Sequence, residues 1–324
     1  MTDARADPGR LRVGLVGTGW AAERHARAVE AHPAASLVAI ANWREESLAR
    51  TAERFGVART TTDWRELADA ADVDALVIAT PNALHAPQAI AALAAGKSVM
   101  VEKPMAASLA EAQQIVEEAE RSPGWLMVAH CWRFHPDVRR LRDRVASGRL
   151  GEVVKTRGYG VHAGWGPDGW FTQRELAGGG ALADMGVHAI DTARFLMGDP
   201  TPTRVCAALS TRYGSYQVDD DGILLISWSN GANSIVECGW WQPHMAGLEA
   251  DTEVYGTDGY ERIWDAPDST TAGEDHCAQE MYDAQMAEFV EAVLAGRQPR
   301  PDAHDGAVVM QIVHDAYHSA GVPE

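Results

Sequence analysis

The sequence has little that would tie it to a membrane, a nucleic acid or an oxidising compartment. No apolar run approaches bilayer-spanning length, so no transmembrane helix is expected. Basic residues are scarce: Lys plus Arg number 28 against 46 Asp plus Glu, a formal net charge of -18 at pH 7. With no basic excess to neutralise phosphates, nucleic acid and anionic lipid are excluded as partners. Any anionic ligand must be held by backbone N–H groups and a few well-placed side chains. The cysteines are only 4, and Cys131, Cys206, Cys238 and Cys277 form no C-x-x-C pair. That excludes a disulfide framework and zinc-knuckle spacing and suits a reducing cytoplasm. The polar stretch Met1–Arg10 lacks the apolar core of a signal peptide. Internal repeats and low-complexity linkers are absent too. Lysine is rare enough to count by eye: Lys97, Lys103 and Lys155.

At 324 residues the chain exceeds what one core usually supports, which predicts two domains. The first third alternates short apolar strands (Leu11–Val16, Ser36–Ala41, Asp74–Ala79, Ser98–Val101, Trp125–Ala129) with amphipathic helices, the pattern of a doubly wound parallel sheet. Beyond residue 127 the rhythm changes. Strand-like runs at Val153–Tyr159, Arg204–Tyr213, Ile223–Ser229, Ala232–Trp241 and Glu253–Gly256 predict a large, mainly antiparallel sheet. The fold class is therefore α/β: a Rossmann domain over residues 1–127, then an α+β domain over 128–324 with that open sheet. A helix is expected over Leu182–Met197, and two more close the chain.

Gly17-Thr18-Gly19-Trp20-Ala21-Ala22 has the form G-x-G-x-x-A between a strand and a helix. Gly17 makes the tight turn, Gly19 admits a pyrophosphate, and small Ala22 lets helix and sheet approach closely. Free N–H groups at the helix start supply the anion donors. At the end of the second strand, NAD enzymes carry an acidic residue for the ribose hydroxyls. Here Asn42 and Arg44 stand there, a pair that tolerates or binds a 2′-phosphate, so the cofactor is NADP or NAD with a lean to NADP. The competing reading makes Asn42 a helix cap and Arg44 a solvated helix-start residue.

Lys103 follows a predicted strand on the same side of the sheet as the glycine turn, with Pro104 fixing the loop. It is placed either to stabilise a substrate oxygen or merely to sit at a surface strand end. Asp184 and His188 share one face of the predicted helix, after Gly178-Gly179-Gly180. They are equally readable as an acid/base site and as an ordinary helix pair. His314 and His318 have helical metal-site spacing but no third ligand, and His130, Cys131 and His135 read as a strand end, so no metal site is expected. Substrate contacts are expected from Arg133 and from the His162–Trp170 loop, where Trp165 and Trp170 can stack on a sugar ring. A second loop at Trp240–His244 adds to these. The bland reading is that most of the tryptophans, Trp240 and Trp241 included, fill the sheet interface.

Taken together, the glycine turn, Ala79-Thr80-Pro81-Asn82 with His85, Glu102-Lys103-Pro104, the run from Gly178 to Asp191, and Asp305-Gly306 with Ala316–Ala320 resemble the glucose–fructose oxidoreductase/inositol dehydrogenase (Gfo/Idh/MocA-type) family. The resemblance spans nearly the whole chain. It implies an NAD(P)-dependent dehydrogenase or reductase moving a hydride between the nicotinamide and a secondary hydroxyl or ketone of a sugar, cyclic polyol or related compound. It further implies that His188 is the general acid/base, Lys103 polarises the reacting oxygen and Asp184 orients the group. Thr80, Asn82, His85 and Glu102 would line the dinucleotide site, Lys103–Pro104 would be cis, and the second sheet would form a homodimer or homotetramer. Two other functions fit the same residues: a dinucleotide-dependent glycosidase or lyase with transient oxidation, and a non-catalytic dinucleotide sensor.

Overall fold

Short, almost wholly apolar strands build the first sheet, as parallel strands covered on both faces require. They are β1 (Leu11–Val16), β2 (Ala35–Ala41), β3 (Thr60–Thr61), β4 (Ala75–Ile78), β5 (Ser98–Glu102) and β6 (Leu126–Ala129), all parallel in the order β3-β2-β1-β4-β5-β6. Helices α1 (Trp20–Ala31), α2 (Glu45–Arg54), α3 (Arg65–Ala68), α4 (His85–Ala94) and α5 (Leu109–Arg121) connect them. This computed structural model describes residues 9–243, 249–264 and 278–322; His244 and Cys277 lie outside them. The boundary expected at residue 127 falls inside β6.

The second part runs through α6 (Pro136–Ala146), β7 (Val153–Ala163), α7 (Arg174–Ala177), a π-helical turn (Leu182–Gly186) continuous with α8 (Val187–Leu196), β8 (Pro202–Ser210), β9 (Asp221–Trp228), β10 (Asn233–Gln242), β11 (Ala250–Gly256) and β12 (Tyr260–Arg262). Its sheet has the order β12-β11-β7-β10-β9-β8, antiparallel except where β10 runs parallel to β7. Helix α9 (Gln279–Leu294) returns to pack on α1, and α10 (Ala303–Ser319) wedges between α5 and β8. No helix among the described residues is long and apolar enough to cross a membrane.

Alternation decides which face of the second sheet is covered. Leu224, Ile226 and Trp228 of β9 and Val236 and Cys238 of β10 point at α8 and α10 and are buried with Leu182, Ile190 and Val313. Their neighbours Ile223, Leu225 and Ile235 face outwards and remain 56%, 48% and 38% exposed. Two local differences from the sequence reading have physical causes. The strand expected to reach Tyr213 stops at Ser210, because the amides of Arg212, Tyr213 and Gly214 turn to the Asp220 carboxylate instead of a ladder. The helix expected from Leu182 begins with a wide turn that brings the Met185 carbonyl against Gly160 of β7, where no side chain obstructs it.

Candidate active site

The dinucleotide side forms where β1 ends. Gly17 has φ 112°, and a Cβ there would strike the Ala79 carbonyl, so only glycine lets the turn pass β4. Helices α5 and α10 close their N-termini with capping boxes, Ser108 with Glu111 and Asp302 with Asp305, but α1 has no side-chain cap. Its first-turn amides are therefore free for an anion, and no atom lies within contact of a Cβ placed on Gly19. The residues present fit a pyrophosphate. Thr18 and Asn42 both donate to Ser47 Oγ, at 3.1 and 2.8 Å, and the Arg44 guanidinium lies on the exposed Trp43 indole. Trp20 is also exposed, at the start of α1.

Lys103 emerges at the carboxyl end of β5, and Lys103–Pro104 is cis. The preceding residue, Glu102, is buried with its carboxylate between two donors. His25 Nε2 of α1 lies 2.8 Å from Oε1, and the Lys103 amide donates to Oε2 at 3.0 Å. The nucleotide helix and the lysine loop thus share one buried carboxylate. His85 braces the same loop from below, with its ring nitrogens 2.9 Å from the Pro104 and Thr80 carbonyls. The Asn82 side chain donates to the Ala177 carbonyl, tying the first domain to the second.

Asp184 comes from the π-helical turn, and its carboxylate is the meeting point of the site. Lys103 Nζ donates to its Oδ1 at 3.2 Å and to its backbone carbonyl at 2.9 Å. His162 Nε2 and Trp240 Nε1 reach Oδ2 at 3.1 and 3.0 Å. His162 is held in turn by Glu249 at 3.4 Å and by the Trp165 ring at 3.7 Å, while Trp165 donates its indole N–H to Glu249 at 2.7 Å. The turn itself hangs from Asp219: Gly180 and Leu182 amides donate to its two oxygens, and the Tyr317 hydroxyl of α10 donates at 2.7 Å. The glycine run is steric, since a Cβ on Gly178, Gly179 or Gly180 would strike Ala107, Tyr317 or Asp219. His188 lies on α8, buried, its ring centroid 5.7 Å from Trp132.

Charge is distributed sharply across these groups. Burial alone would pull the Lys103 ammonium down, but Asp184 and Glu102 outweigh it and hold the pKa above its usual value. Burial would likewise raise the Asp184 carboxyl, but Lys103, His162 and Trp240 hold it well below the ordinary carboxylate range. His162 lies between two carboxylates, which outweigh desolvation and raise it. His188 goes the other way: burial, then the Lys103 charge, lowers it well below 6.5. The arrangement holds an ammonium ready to bind a partially negative oxygen beside a neutral imidazole able to take a proton.

Of the sequence-predicted residues, Lys103, Asp184 and His162 form one bonded chain, with His188 in its electrostatic reach. Trp165 joins through His162, whereas Trp170 stacks on Phe171 at 3.9 Å. Arg133 is engaged elsewhere. Its buried guanidinium forms a bidentate pair with Asp191 at 2.7 and 2.6 Å and a further ion pair with Asp199, lining a separate arginine-rich cleft of about 760 Å³ with Arg142 and Arg194. Sequence reasoning missed His25, Asp219 and Glu249, and it named Trp240 and Arg133 for the substrate without foreseeing their bonds to Asp184 and Asp191. His25 alone carried a signal, a polar residue on the Ala22, Ala26 and Val29 face of α1.

Residues 11–130 match the family model described as an oxidoreductase family with an NAD-binding Rossmann fold, and residues 138–261 match the GFO/IDH/MocA C-terminal domain. Levoglucosan dehydrogenase of Pseudarthrobacter phenanthrenivorans is 33% identical over 283 residues, covering 77% of this chain and 72% of that protein. The rhizopine catabolism protein MocA of Rhizobium meliloti is 30% identical over 311 residues, covering 95% and 94%. Among solved structures, GenD2 from gentamicin A biosynthesis in complex with NAD matches with a TM-score of 0.88 at 30% identity, over 96% of this chain and 94% of that one.

Proposed function

The chain belongs to the Gfo/Idh/MocA oxidoreductase family, and on that premise we propose that it is a dehydrogenase for a secondary hydroxyl of a sugar, cyclic polyol or related compound, with Lys103, Asp184 and His188 at the reacting carbon. The observation that carries this reading is the meeting of Lys103, just past β5, with Asp184, from the π-helical turn of the second part, at the carboxyl edge of the parallel strands where open α/β sheets bind ligands. The nicotinamide, when bound, supplies the two-electron acceptor or donor. Gly17, Thr18, Gly19, Trp20 and Ala22 would hold the pyrophosphate, Asn42 and Arg44 the adenosine ribose, and Thr80, Asn82, His85 and Glu102 the wall behind the ring. Lys103 binds the substrate oxygen and stabilises its growing charge, while Asp184 keeps Lys103 charged and in place. Neutral His188 takes the hydroxyl proton on oxidation and returns it on reduction.

Asn42 and Arg44, in place of an acidic residue, favour NADP over NAD. The exposed aliphatic side chains Ile223, Leu225 and Ile235, side by side on the outer face of β9 and β10, support a homo-oligomer of this chain. The test is purified protein with NADP+ or NAD+ and a panel of sugars and polyols, followed at the reduced-nicotinamide absorbance. Substrate-dependent absorbance growth is the expected result. Substrate consumed at constant absorbance would replace the reading with transient oxidation, as in a dinucleotide-dependent glycosidase.

A further inference from the structure

Two tryptophans stand half exposed just outside the reacting centre, Trp165 at 46% and Trp241 at 43%. Trp165 is one side chain removed from Asp184: its ring packs on His162, and His162 bonds the Asp184 carboxylate. Trp241 follows Trp240, whose indole N–H reaches the same carboxylate. In a regular strand these neighbours would point to opposite faces of the sheet. The backbone departs from that pattern. The register of β10 against β7 shifts between Gly239 and Gln242, and Trp241 has φ 62°, in the left-handed region that bulky residues avoid. A bulge of this kind re-aims a side chain, and such strain persists only where the surroundings over-determine it, most often at functional sites.

What holds Trp241 there is specific. Its amide donates to the Trp165 carbonyl at 2.7 Å and the nitrogen edge of its indole lies against Gly166. Trp165 is fixed by its indole N–H, which donates to Glu249. Trp165 is therefore anchored by its polar edge and Trp241 by its backbone and by Gly166, and both leave ring surface open, so little rotamer freedom remains to be lost on binding. The Glu249 carboxylate stands behind Trp165, which suits a neutral polyhydroxylated ring rather than a phosphorylated one.

We propose that Trp165 and Trp241 form a stacking platform for a second ring, so that the substrate class is a glycoside or other two-ring carbohydrate whose first ring reacts at Lys103, Asp184 and His188. His162 separates the platform from the reacting centre, which places the stacked ring beyond the ring being oxidised. The inference rests on the dehydrogenase reading and names its substrate class.

The test compares kcat/KM for a panel of disaccharides and aryl glycosides with that for their parent monosaccharides, in the native enzyme, Trp241→Gly and Trp165→Ala. Trp241→Gly is the informative variant, since glycine takes the left-handed backbone without strain and the fold should survive. At least one two-ring substrate should be preferred by about tenfold, and Trp241→Gly should lower that preference by about as much, mainly through KM. Equal or better kcat/KM for every monosaccharide, or a preference unmoved by Trp241→Gly, overturns the platform alone. No turnover of either class, with nicotinamide binding intact, removes the dehydrogenase reading and the platform with it.

Discussion

The parallel sheet is covered on both faces and offers the site only its strand ends, whereas the mixed sheet is covered on one face and holds the site from behind. In the first, β4 is buried along its whole length, and chemistry appears only where β1 and β5 stop. In the second, the Asp184 turn is suspended from Asp219 on the approach to β9, Trp240 on β10, His162 on β7 and Tyr317 on α10. The Rossmann half therefore builds its part from short motifs at strand ends, braced by His25 and His85, and the second half hangs a single carboxylate from four distant segments. A contiguous motif tolerates drift elsewhere; a suspended carboxylate depends on every support.

The contrast can be tested from its largest expected effect downwards. Lys103→Ala and His188→Ala strike the proposed reacting groups, and each should lower kcat by about 10²- to 10⁴-fold with the far-ultraviolet spectrum unchanged. Activity above a tenth of native in either variant would remove that residue from the chemistry. Asp219→Ala strips the suspended turn of its anchor, leaving the Leu182 amide and the Tyr317 hydroxyl without their acceptor and the Gly180 amide with the Tyr317 oxygen alone. A loss of about 3 kcal/mol in urea unfolding is expected, together with lower kcat. An unchanged midpoint would mean that the turn supports itself.

On the Rossmann side, His25→Ala leaves Glu102 with the Lys103 amide but without its imidazole partner. The expected cost is smaller, about 2 kcal/mol, with kcat reduced more than cofactor affinity. The reverse split would place His25 in the nucleotide pocket instead of behind the lysine. Ile223→Lys with Leu225→Lys should dissociate the oligomer in size-exclusion chromatography while leaving the monomer folded, because both side chains lie on the uncovered face. An unmoved elution volume would put the interface elsewhere.

The mildest perturbation is pH. His188 is lowered well below 6.5 and acts as a base when neutral, so the acid limb of kcat/KM for oxidation should fall below pH 6.5. Lys103 is raised above 10.5, which keeps the alkaline limb beyond that value. Stability carries the opposite dependence on its carboxylates. Asp184 and Glu102 are depressed from 3.8 and 4.5, so their contribution is complete above those values and is lost as pH falls further. An acid limb above pH 6.5 would assign the base to another group.

How much was legible follows the same division. The turn at Gly17 and the Glu102-Lys103-Pro104 loop could be read because close backbone approach and a strand-end lysine leave marks in consecutive residues. All the strands but the short edge strands β3 and β12 were legible too, since burial on two faces produces continuous apolar runs and burial on one face produces alternation. Asp219 could not be read from the Asp219-Asp220-Asp221 run, because nothing local distinguishes an acid that caps a distant turn from one that sits in water. Trp240 and Trp241 read alike in sequence, as a substrate loop or as filler, yet a bulge sends one to Asp184 and leaves the other half exposed. Arg133 offered a cation for substrate, and Asp191 claimed it.

By itself the sequence determined the two-sheet architecture and the dinucleotide turn, which follow from periodicity and backbone permissiveness. Lys103, Asp184 and His188 were each ambiguous among their neighbours, and only their joint resemblance to a family singled them out. Only the tertiary structure decided which charges survive burial. Lys103 stays charged because Asp184, on the π-helical turn, lies 3.2 Å from it, and His188 stays neutral because it is buried within reach of that ammonium. Protonation state is a property of surroundings, and those surroundings are drawn from segments far apart in the chain.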